Sequence, residues 1–494
     1  MRAHPAAVAV VDGGVAHTYA ELDRASAEVA GGLRERGVRP GDVVAINSTR
    51  GWSRCTAVLG AWRIGAGVLS LDTTMPQERA KAILTTAGCA LVVGDEAGAT
   101  AGSGLPVVSF AEVLGAPVTE VVDGPTAYVI PTSGSTGTPK SVAVPPVVLA
   151  DLGAWHIDHW VHDVPPHTLH AAPIGFDVVY EDMVATWLAG ATLVVVDDEQ
   201  RRDPFTLVRL IEEHSAARMF LPVALLHGLA MAALFDDARL PTLRELAPGG
   251  EQLVINDEVR EFCGSRGITL VNQYGPSETH VVTQCRLSGD PAGWPDRPPI
   301  GIAVTSAELL RHVDGVLRPF EPGESGELVI AGDCVGLGYV GDPELTDRKF
   351  RVLPHRDGTD RRCYFSGDLV RLDEGGFQFL SRVDDQLKIK GYRVEPGEVE
   401  AVLARVDGVR RAAVVGVERG GVVLLAAFVV TGDDSVVTEE ELREACEESL
   451  PEYMVPTYCS VVDALPVNAN GKVDRRRLAD VAAARRGATS LGRR

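Results

Sequence analysis

The residues best arranged for chemistry are TSGSTGTPKS at 132–141, directly after the apolar segment 127–130. Small residues and Gly let consecutive backbone N–H groups converge on phosphate oxygens. Ser and Thr hydroxyls add donors, and Lys140 adds positive charge. A Walker A loop has Gly immediately before its Lys; here Pro139 intervenes, so this is a phosphate loop of another kind. A second Gly pattern, Gly336, Gly338 and Gly341, formally spells GxGxxG after the probable strand 327–331. No clean helix and second strand are expected to follow it, so a structural turn is the better account. Five of the twelve His fall at 156, 159, 162, 167 and 170. Pro165 and Pro166 interrupt any helix there and no Cys accompanies them. A surface helix end and loop is expected, ahead of a metal site.

These groups need rigid elements to hold them. Thr18 and Glu21 form a capping box, and Leu22, Ala25, Val29 and Leu33 recur at helical spacing until Gly37. Short apolar segments at 43–46, 90–93 and 193–196 read as buried strands. Their alternation with helices predicts an α/β fold of layered sheets and helices. After Asp384 the texture changes. The charged stretch DDQLKIKGYRVEPGEVE leads into a helix at 398–406, a hairpin of 409–417 with 422–430 around ERGG, and a helix capped by Thr438 and Glu441. The expected division is a large core at 1–383, a small mobile C-terminal α+β domain at 384–480, and a basic tail at 481–494 that frays.

Composition narrows the function classes. The 494 residues are 45% hydrophobic, ample for a large core, and 47 Lys and Arg stand against 68 Asp and Glu. A formal charge of −21 gives no footprint for nucleic acid or an anionic membrane. The eight Cys form no CxxC pair and fit a reducing compartment. Before Asp12 the apolar run is six residues, short for a secretory segment, and the longest run, 422–430, is nine, too short to span a bilayer. A cytoplasmic protein is expected.

The phosphate loop is one of an ordered series: HTYAEL (17–22), GFDVVYED (175–182), APGGEQL (247–253), NQYGPSE (272–278), GELVIAG (326–332), YFSGDL (364–369), SRVDDQLKIKGYR (381–393), LPEYMVP (450–456) and NGKVDR (470–475). Together they make essentially the whole chain resemble the adenylate-forming superfamily, and within it the amino-acid adenylation domains of nonribosomal peptide synthesis. The resemblance implies ATP-dependent formation of an aminoacyl-AMP and pyrophosphate, then thioester transfer to a phosphopantetheine thiol. It places Lys472 between substrate carboxylate and α-phosphate, and Glu278 on Mg²⁺ with Thr132 nearby. Ser133, Gly134, Ser135, Thr136, Gly137 and Lys140 would line the phosphates. Tyr274 would stack on adenine beside Gly249, Gly250 and Glu251, with Asn272 at its edge. Asp368 would accept the ribose hydroxyls, with Arg382 beside the nucleotide. Asp384 is the implied hinge, about which the small domain withdraws Lys472 and brings Gly391 to the site. Ser141, Leu337, Ser381, Ser277 and Ser366 depart from the usual Gly, Arg, Gly, Thr and Thr; none removes a catalytic group.

The same resemblance maps the substrate pocket. Asp177, after Phe176, would pair with the substrate ammonium, a group that aryl and acyl acids lack. The walls would be Val178, Glu181, Phe220, Ala247, Gly249, Gln273, Val281 and Val282, with Lys472 on the carboxylate. A buried, ionised Glu181 needs a cation or several donors. The remaining pattern resembles proline-selecting pockets with extra room. A compact or cyclic amino acid bearing a donor fits both clues, while a basic or β-amino acid, an aryl- or acyl-acid ligase and a non-catalytic assembly subunit stay open as alternatives. Too few residues follow Lys472 for a carrier domain, so a carrier protein acting in trans is expected, with room for a small helper protein.

Overall fold

The structure is a computed structural model that describes residues 4–94, 100, 102–134, 139–419, 422–432, 437–467 and 472–484. Among them, the strands before residue 383 form a nine-stranded, a seven-stranded and a six-stranded sheet.

The capping box forms as expected: the Thr18 N–H donates to Glu21 Oε2 at 2.7 Å and starts the helix Tyr19–Glu35. Its Leu22, Val29 and Leu33 are buried. The segments at 43–46 and 90–93 lie in Val43–Asn47 and Cys89–Val93, parallel neighbours in the seven-stranded sheet beside Gly67–Leu71. Helices Trp52–Arg63 and Gln77–Thr86 connect them. In the nine-stranded sheet, Arg218–Pro222, Glu245–Gly249 and Thr269–Tyr274 run parallel, so Pro222, Gly249 and Tyr274 end together at one rim. Ligands of open α/β sheets bind at the carboxyl ends of strands. The helix Val178–Leu188 lies between the two sheets: its Val179, Tyr180 and Met183 join Ile46, Val68 and Ile130 in one core.

The six-stranded sheet is antiparallel and carries the other half of the candidate site. Asp368, in Asp360–Asp373, is directly opposite Arg382, at the end of Gly376–Arg382. Beyond it stand the two-stranded Leu387–Ile389 and Tyr392–Val394, then a three-stranded sheet of Val409–Arg419, Val422–Thr431 and Tyr458–Val461. Two apolar clusters cover its faces, one around Val399, Leu442 and Met454, the other around Phe428, Leu465 and Leu478. Both are drawn entirely from residues after 386, whereas the clusters of the three large sheets end at Phe379.

Three local expectations are corrected. The helix placed at 398–406 is Pro396–Leu403, because Pro396 supplies the preset first-turn φ. The stretch from 481 begins as helix, Arg475–Ala484, anchored by buried Leu478; residues 485–494 lie outside the described residues. A short helix, Pro343–Lys349, and a strand, Phe350–Pro354, do follow the Gly336–Gly341 pattern, but Gly338–Tyr339 pairs antiparallel with Lys140–Val144, so a dinucleotide-binding crossover is absent at that pattern.

The loop at 275–280 turns tightly after Tyr274. A Cβ on Gly275 would lie 1.7 Å from the His280 carbonyl oxygen. Gly275→Ala should therefore destabilise the large part by about 1–3 kcal/mol, the usual cost of overpacking, read as a lower first thermal transition. Gly293→Ala, where a Cβ meets nothing within 4 Å, is the control and should leave that transition in place. Equal melting of the two variants would show that the turn is not close-packed.

Candidate active site

The phosphate loop joins two antiparallel strands, Tyr128–Thr132 and Lys140–Val144, with Thr132 opposite Lys140. This is a hairpin tip rather than a strand-to-helix loop. Ser135, Thr136 and Gly137 lie outside the described residues. Thr132, Ser133 and Gly134 are buried. The Lys140 ammonium sits 5.5 Å over the Tyr339 ring, and burial pushes its pKa down. Ser141, which departs from the usual Gly, is accommodated with its hydroxyl 3.2 Å from that of Thr86.

Glu278 has no exposed surface. Its Oε1 accepts from the Tyr339 hydroxyl at 2.6 Å and from Arg393 Nη1 at 2.8 Å. Burial alone would push this carboxyl up; Arg393 and Tyr339 outweigh it and draw it down to about 2. Two buried oxygens nearby in function, Glu278 Oε2 and Thr132 Oγ1, have no hydrogen-bond partner among the described residues. Two hard oxygen donors left open beside a phosphate loop fit Mg²⁺, which takes one or two protein oxygens and fills its shell with water and phosphate.

A cleft of about 550 Å³ has a lining that includes Glu251, Asn272, Tyr274, Asp368, Arg382 and Lys388. Asp368 accepts from the Tyr274 hydroxyl at 2.5 Å and from Arg382 Nη1. Ser366 keeps the hydroxyl of the usual Thr and uses it: its Oγ accepts from the Asp368 N–H at 3.1 Å and donates to the Leu328 carbonyl at 2.6 Å. Arg382 also forks onto Asp384 at 2.6 and 2.8 Å, so one guanidinium ties the carboxylate assigned to ribose to the residue assigned as hinge. The Asn272 amide donates to the Pro299 carbonyl at 2.7 Å. Lys388, absent from the sequence assignments, holds its ammonium 5.9 Å from the centre of the Tyr274 ring, where burial pushes its pKa down. In this arrangement a cation meets the ring assigned to adenine.

Gly391 stands in the site. Its N–H donates to Glu251 Oε1 at 2.5 Å, and a Cβ on Gly250 would come within 3.1 Å of its Cα. A Cβ on Gly391 itself would lie 3.5 Å from the Phe176 ring, which also meets the Tyr392 ring at 4.6 Å. Three further contacts fix the small part in place. Ser133 Oγ donates to the Arg393 carbonyl at 3.0 Å. Glu398 accepts from the Gly134 N–H at 3.2 Å through Oε2 and from Arg79 through Oε1. The side chains of Arg79 and Glu398 are only 7% and 1% exposed. Lys472 is exposed and does not line the cleft. The structure thus brings Gly391 together with Phe176, Gly250 and Glu251.

The residues assigned to the pocket walls come from several elements and do not all pack together. Phe220 and Ala247 are paired across adjacent strands and pack with Val178. Val281 packs instead with Leu152 and Val304, and Val282 enters the large core. Asp177 is half-buried at the start of Val178–Leu188, where its carboxylate accepts from the Val178 N–H at 2.9 Å. Glu181 is 2% exposed, and its Oε1 accepts from His156 Nε2 and Gln273 Nε2, both at 2.7 Å. The surface expected for the His run is therefore corrected at two positions. His156 and His170 are 5% and 1% exposed, because Glu181 and the neighbouring Asp182 draw them inward at 2.7 and 2.8 Å.

A model of the AMP-binding enzyme family matches residues 1–340, and a model of the AMP-binding enzyme C-terminal domain matches 398–472. The chain belongs to the AMP-binding enzymes. Among curated relatives, tyrocidine synthase 2 of Brevibacillus parabrevis is 33% identical over 485 residues, 96% of this chain and 13% of that protein. Surfactin synthase subunit 2 of Bacillus subtilis (strain 168) is 32% identical over 499 residues, 98% of this chain and 14% of that protein. The chain spans only a small fraction of the length of these relatives. Among solved structures, PA1221, described as an NRPS protein containing adenylation and PCP domains, superposes with a TM-score of 0.83 at 27% identity, over 97% of this chain and 82% of that one. The amide bond synthetase McbA of Marinactinospora thermotolerans shares the fold, with a TM-score of 0.83 at 24% identity over 97% and 98% of the two chains. No helix among the described residues is long and apolar enough to cross a membrane.

In this AMP-binding enzyme, Arg79, Lys388, Arg393, Glu398 and His156 were missed by sequence reasoning. The charge density after Asp384 was a signal for three of them, but charge alone names no partner. The placement of the small part depends on Glu398. Removing one member of a buried ion pair costs about 3–5 kcal/mol, and here the cost falls on the contact between the two parts. Glu398→Gln should speed proteolysis within 383–395 and enlarge the radius of gyration while leaving the melting of the large part unchanged. Proteolysis at the parental rate would show that this pair does not hold the parts together.

Proposed function

We propose that this chain activates an amino acid with ATP and hands it to the phosphopantetheine thiol of a carrier protein. In the first step a carboxylate oxygen attacks the α-phosphorus, pyrophosphate leaves, and an aminoacyl-AMP forms. In the second, the thiolate attacks the acyl carbon, the thioester forms and AMP leaves. The observation that carries this reading is a phosphate loop with two buried oxygens, Thr132 Oγ1 and Glu278 Oε2, that have no hydrogen-bond partner among the described residues, with Glu278 tied through Arg393 to the segment whose Gly391 meets Gly250 and Glu251 of the cleft. The carrier protein is supported by the likeness to PA1221, and the amino acid by a carboxylate, Asp177, where an ammonium would sit.

Each residue has a task that its surroundings support. Thr132 and Glu278 would hold Mg²⁺, which when bound neutralises charge on the triphosphate. Lys140 and the backbone N–H groups of the loop would bind the phosphates. Tyr274 and Asp368 would place the nucleoside. Lys472, brought in by rotation about Asp384, would stabilise charge developing at the α-phosphate. The present placement of Gly391, against Gly250 and Phe176, fits the thioester step, for which this residue would be brought to the site. The pocket suits a compact amino acid, cyclic forms included, with a donor on its side chain.

Amino-acid-dependent ATP–pyrophosphate exchange tests the reading. Lys472→Ala should reduce exchange about 10²- to 10³-fold, the scale of one oriented charge at a transition state. Transfer from aminoacyl-AMP supplied ready-made should persist in the same variant; loss of both steps alike would contradict the separate stations. Asp177→Asn keeps an acceptor for the Val178 N–H but loses the charge. It should weaken amino-acid recognition by about 3–5 kcal/mol, the cost of stranding a buried ammonium. Unchanged recognition would remove Asp177 from the site.

A further inference from the structure

The hairpin that carries Gly391 is slight. Its strands, Leu387–Ile389 and Tyr392–Val394, have three residues each, and Lys390 and Gly391 make its turn with φ of 50° and 86°. A two-stranded ribbon is marginal on its own. Ile389 and Val394 anchor this one in the apolar cluster of the small part. At its tip, beside Gly391, stands Tyr392, whose ring meets that of Phe176 in the large part at 4.6 Å and an angle of 57°.

The ring on which Tyr392 leans comes from LPEYMVP, 450–456. Pro451 leads into a single 3₁₀ turn, Glu452–Met454, closed by the Met454 N–H on the Pro451 carbonyl at 2.8 Å. Leu450 and Met454 are buried and root the turn in the same cluster as Val394. Tyr453 packs at the edge of that cluster and lays its ring on Tyr392, centroids 3.8 Å apart and planes 8° from parallel. Its hydroxyl oxygen accepts from Arg79, the large-part partner of Glu398. Tyr453 itself does not line the cleft.

We infer that Tyr453 is a positioning residue for the thioester step: its ring braces Tyr392 and, through Tyr392, holds Gly391 beside Phe176. This rests on the reading of the chain as an adenylating enzyme whose small part rotates about Asp384. Both tyrosines follow Asp384, so their stack travels with the small part, whereas the contact with Phe176 crosses between the parts. A ring already held in one orientation loses less rotamer freedom when the parts meet. Leu at 453 fills space without offering a flat face. Fewer molecules then hold Gly391 at the site at any moment, and transfer falls in that proportion. Adenylation, performed with the small part turned away from this contact, draws nothing from it.

The test compares two rates in the full chain, using the amino acid that gives the highest ATP–pyrophosphate exchange: that exchange, and acyl transfer from the aminoacyl-AMP so formed to 4′-phosphopantetheine. Tyr453→Leu should slow transfer about threefold to tenfold, the scale of one aromatic pair, with exchange unchanged. Tyr453→Phe keeps the ring, loses only the hydroxyl, and should transfer at the parental rate. Tyr392→Leu should slow transfer as Tyr453→Leu does, and the double variant should be no slower, because residues acting through one contact are not additive. Exchange and transfer falling together would mark Tyr453 as a support for the fold of the small part, on which delivery of Lys472 also depends, and would overturn the assignment. Parental transfer in Tyr453→Leu, or Tyr453→Phe as slow as Tyr453→Leu, would overturn it as well. Tyr453→Met takes the place of Tyr453→Leu if that variant does not fold. A parental chain that exchanges but transfers to no thiol overturns the thioester step, and one that exchanges with no amino acid overturns adenylation itself; both are read before any variant is made.

Discussion

A carboxylate with no exposed surface must be neutralised, and the relation between the two parts of this chain follows from what neutralises Glu278. In the structure that group is Arg393, carried on the small part, with Tyr339 from the large part on the same oxygen. Because Arg393 is two residues from Gly391, satisfying Glu278 sets Gly391 against Gly250 and Phe176. The same placement puts Glu398 within reach of both Arg79 and the Gly134 N–H. One charge requirement thus fixes a backbone strand, a helix and a loop at once.

The contact between the parts is made mostly of groups that water can also satisfy. Arg393, Glu398, Arg79, Glu251 and Ser133 each lose a partner on separation but gain solvent, whereas the apolar clusters on either side of residues 380–386 share no member. Interfaces of this kind allow domains to move as units. The exceptions are Tyr392 and Phe176, whose rings meet at 4.6 Å, with Tyr453 stacked on Tyr392 at 3.8 Å. Apolar area there favours one placement without committing the chain to it.

Much of this was legible in the sequence wherever the cause is local. The capping boxes at Thr18 and Thr438, the buried strands and the hairpin from Val409 depend on residues within a few positions of one another, and all are present. What the sequence hid are partnerships between distant charges. Glu278 and Arg393 are 115 residues apart, and Arg79 and Glu398 are 319. A surface was expected for His156 and His170 because charge and proline around them suggest solvent. Their burial is dictated by Glu181 and Asp182 on another helix, which no periodicity in 156–170 reveals. The motif residues were placed by resemblance; which of them face one another in a given arrangement depends on a rotation that motifs do not encode.

Two of the groups through which the small part holds the large one are, chemically, an anion and a cation. Glu398 places a carboxylate on a phosphate-loop N–H, and Arg393 places a positive charge on the carboxylate that suits a divalent ion. Any ligand that brings its own phosphate oxygens and metal to these atoms competes with the small part for them. Thermodynamic linkage then makes the penalty mutual: whatever free energy such a ligand gains by displacing these contacts is subtracted from closure, and closure weakens the ligand by the same amount.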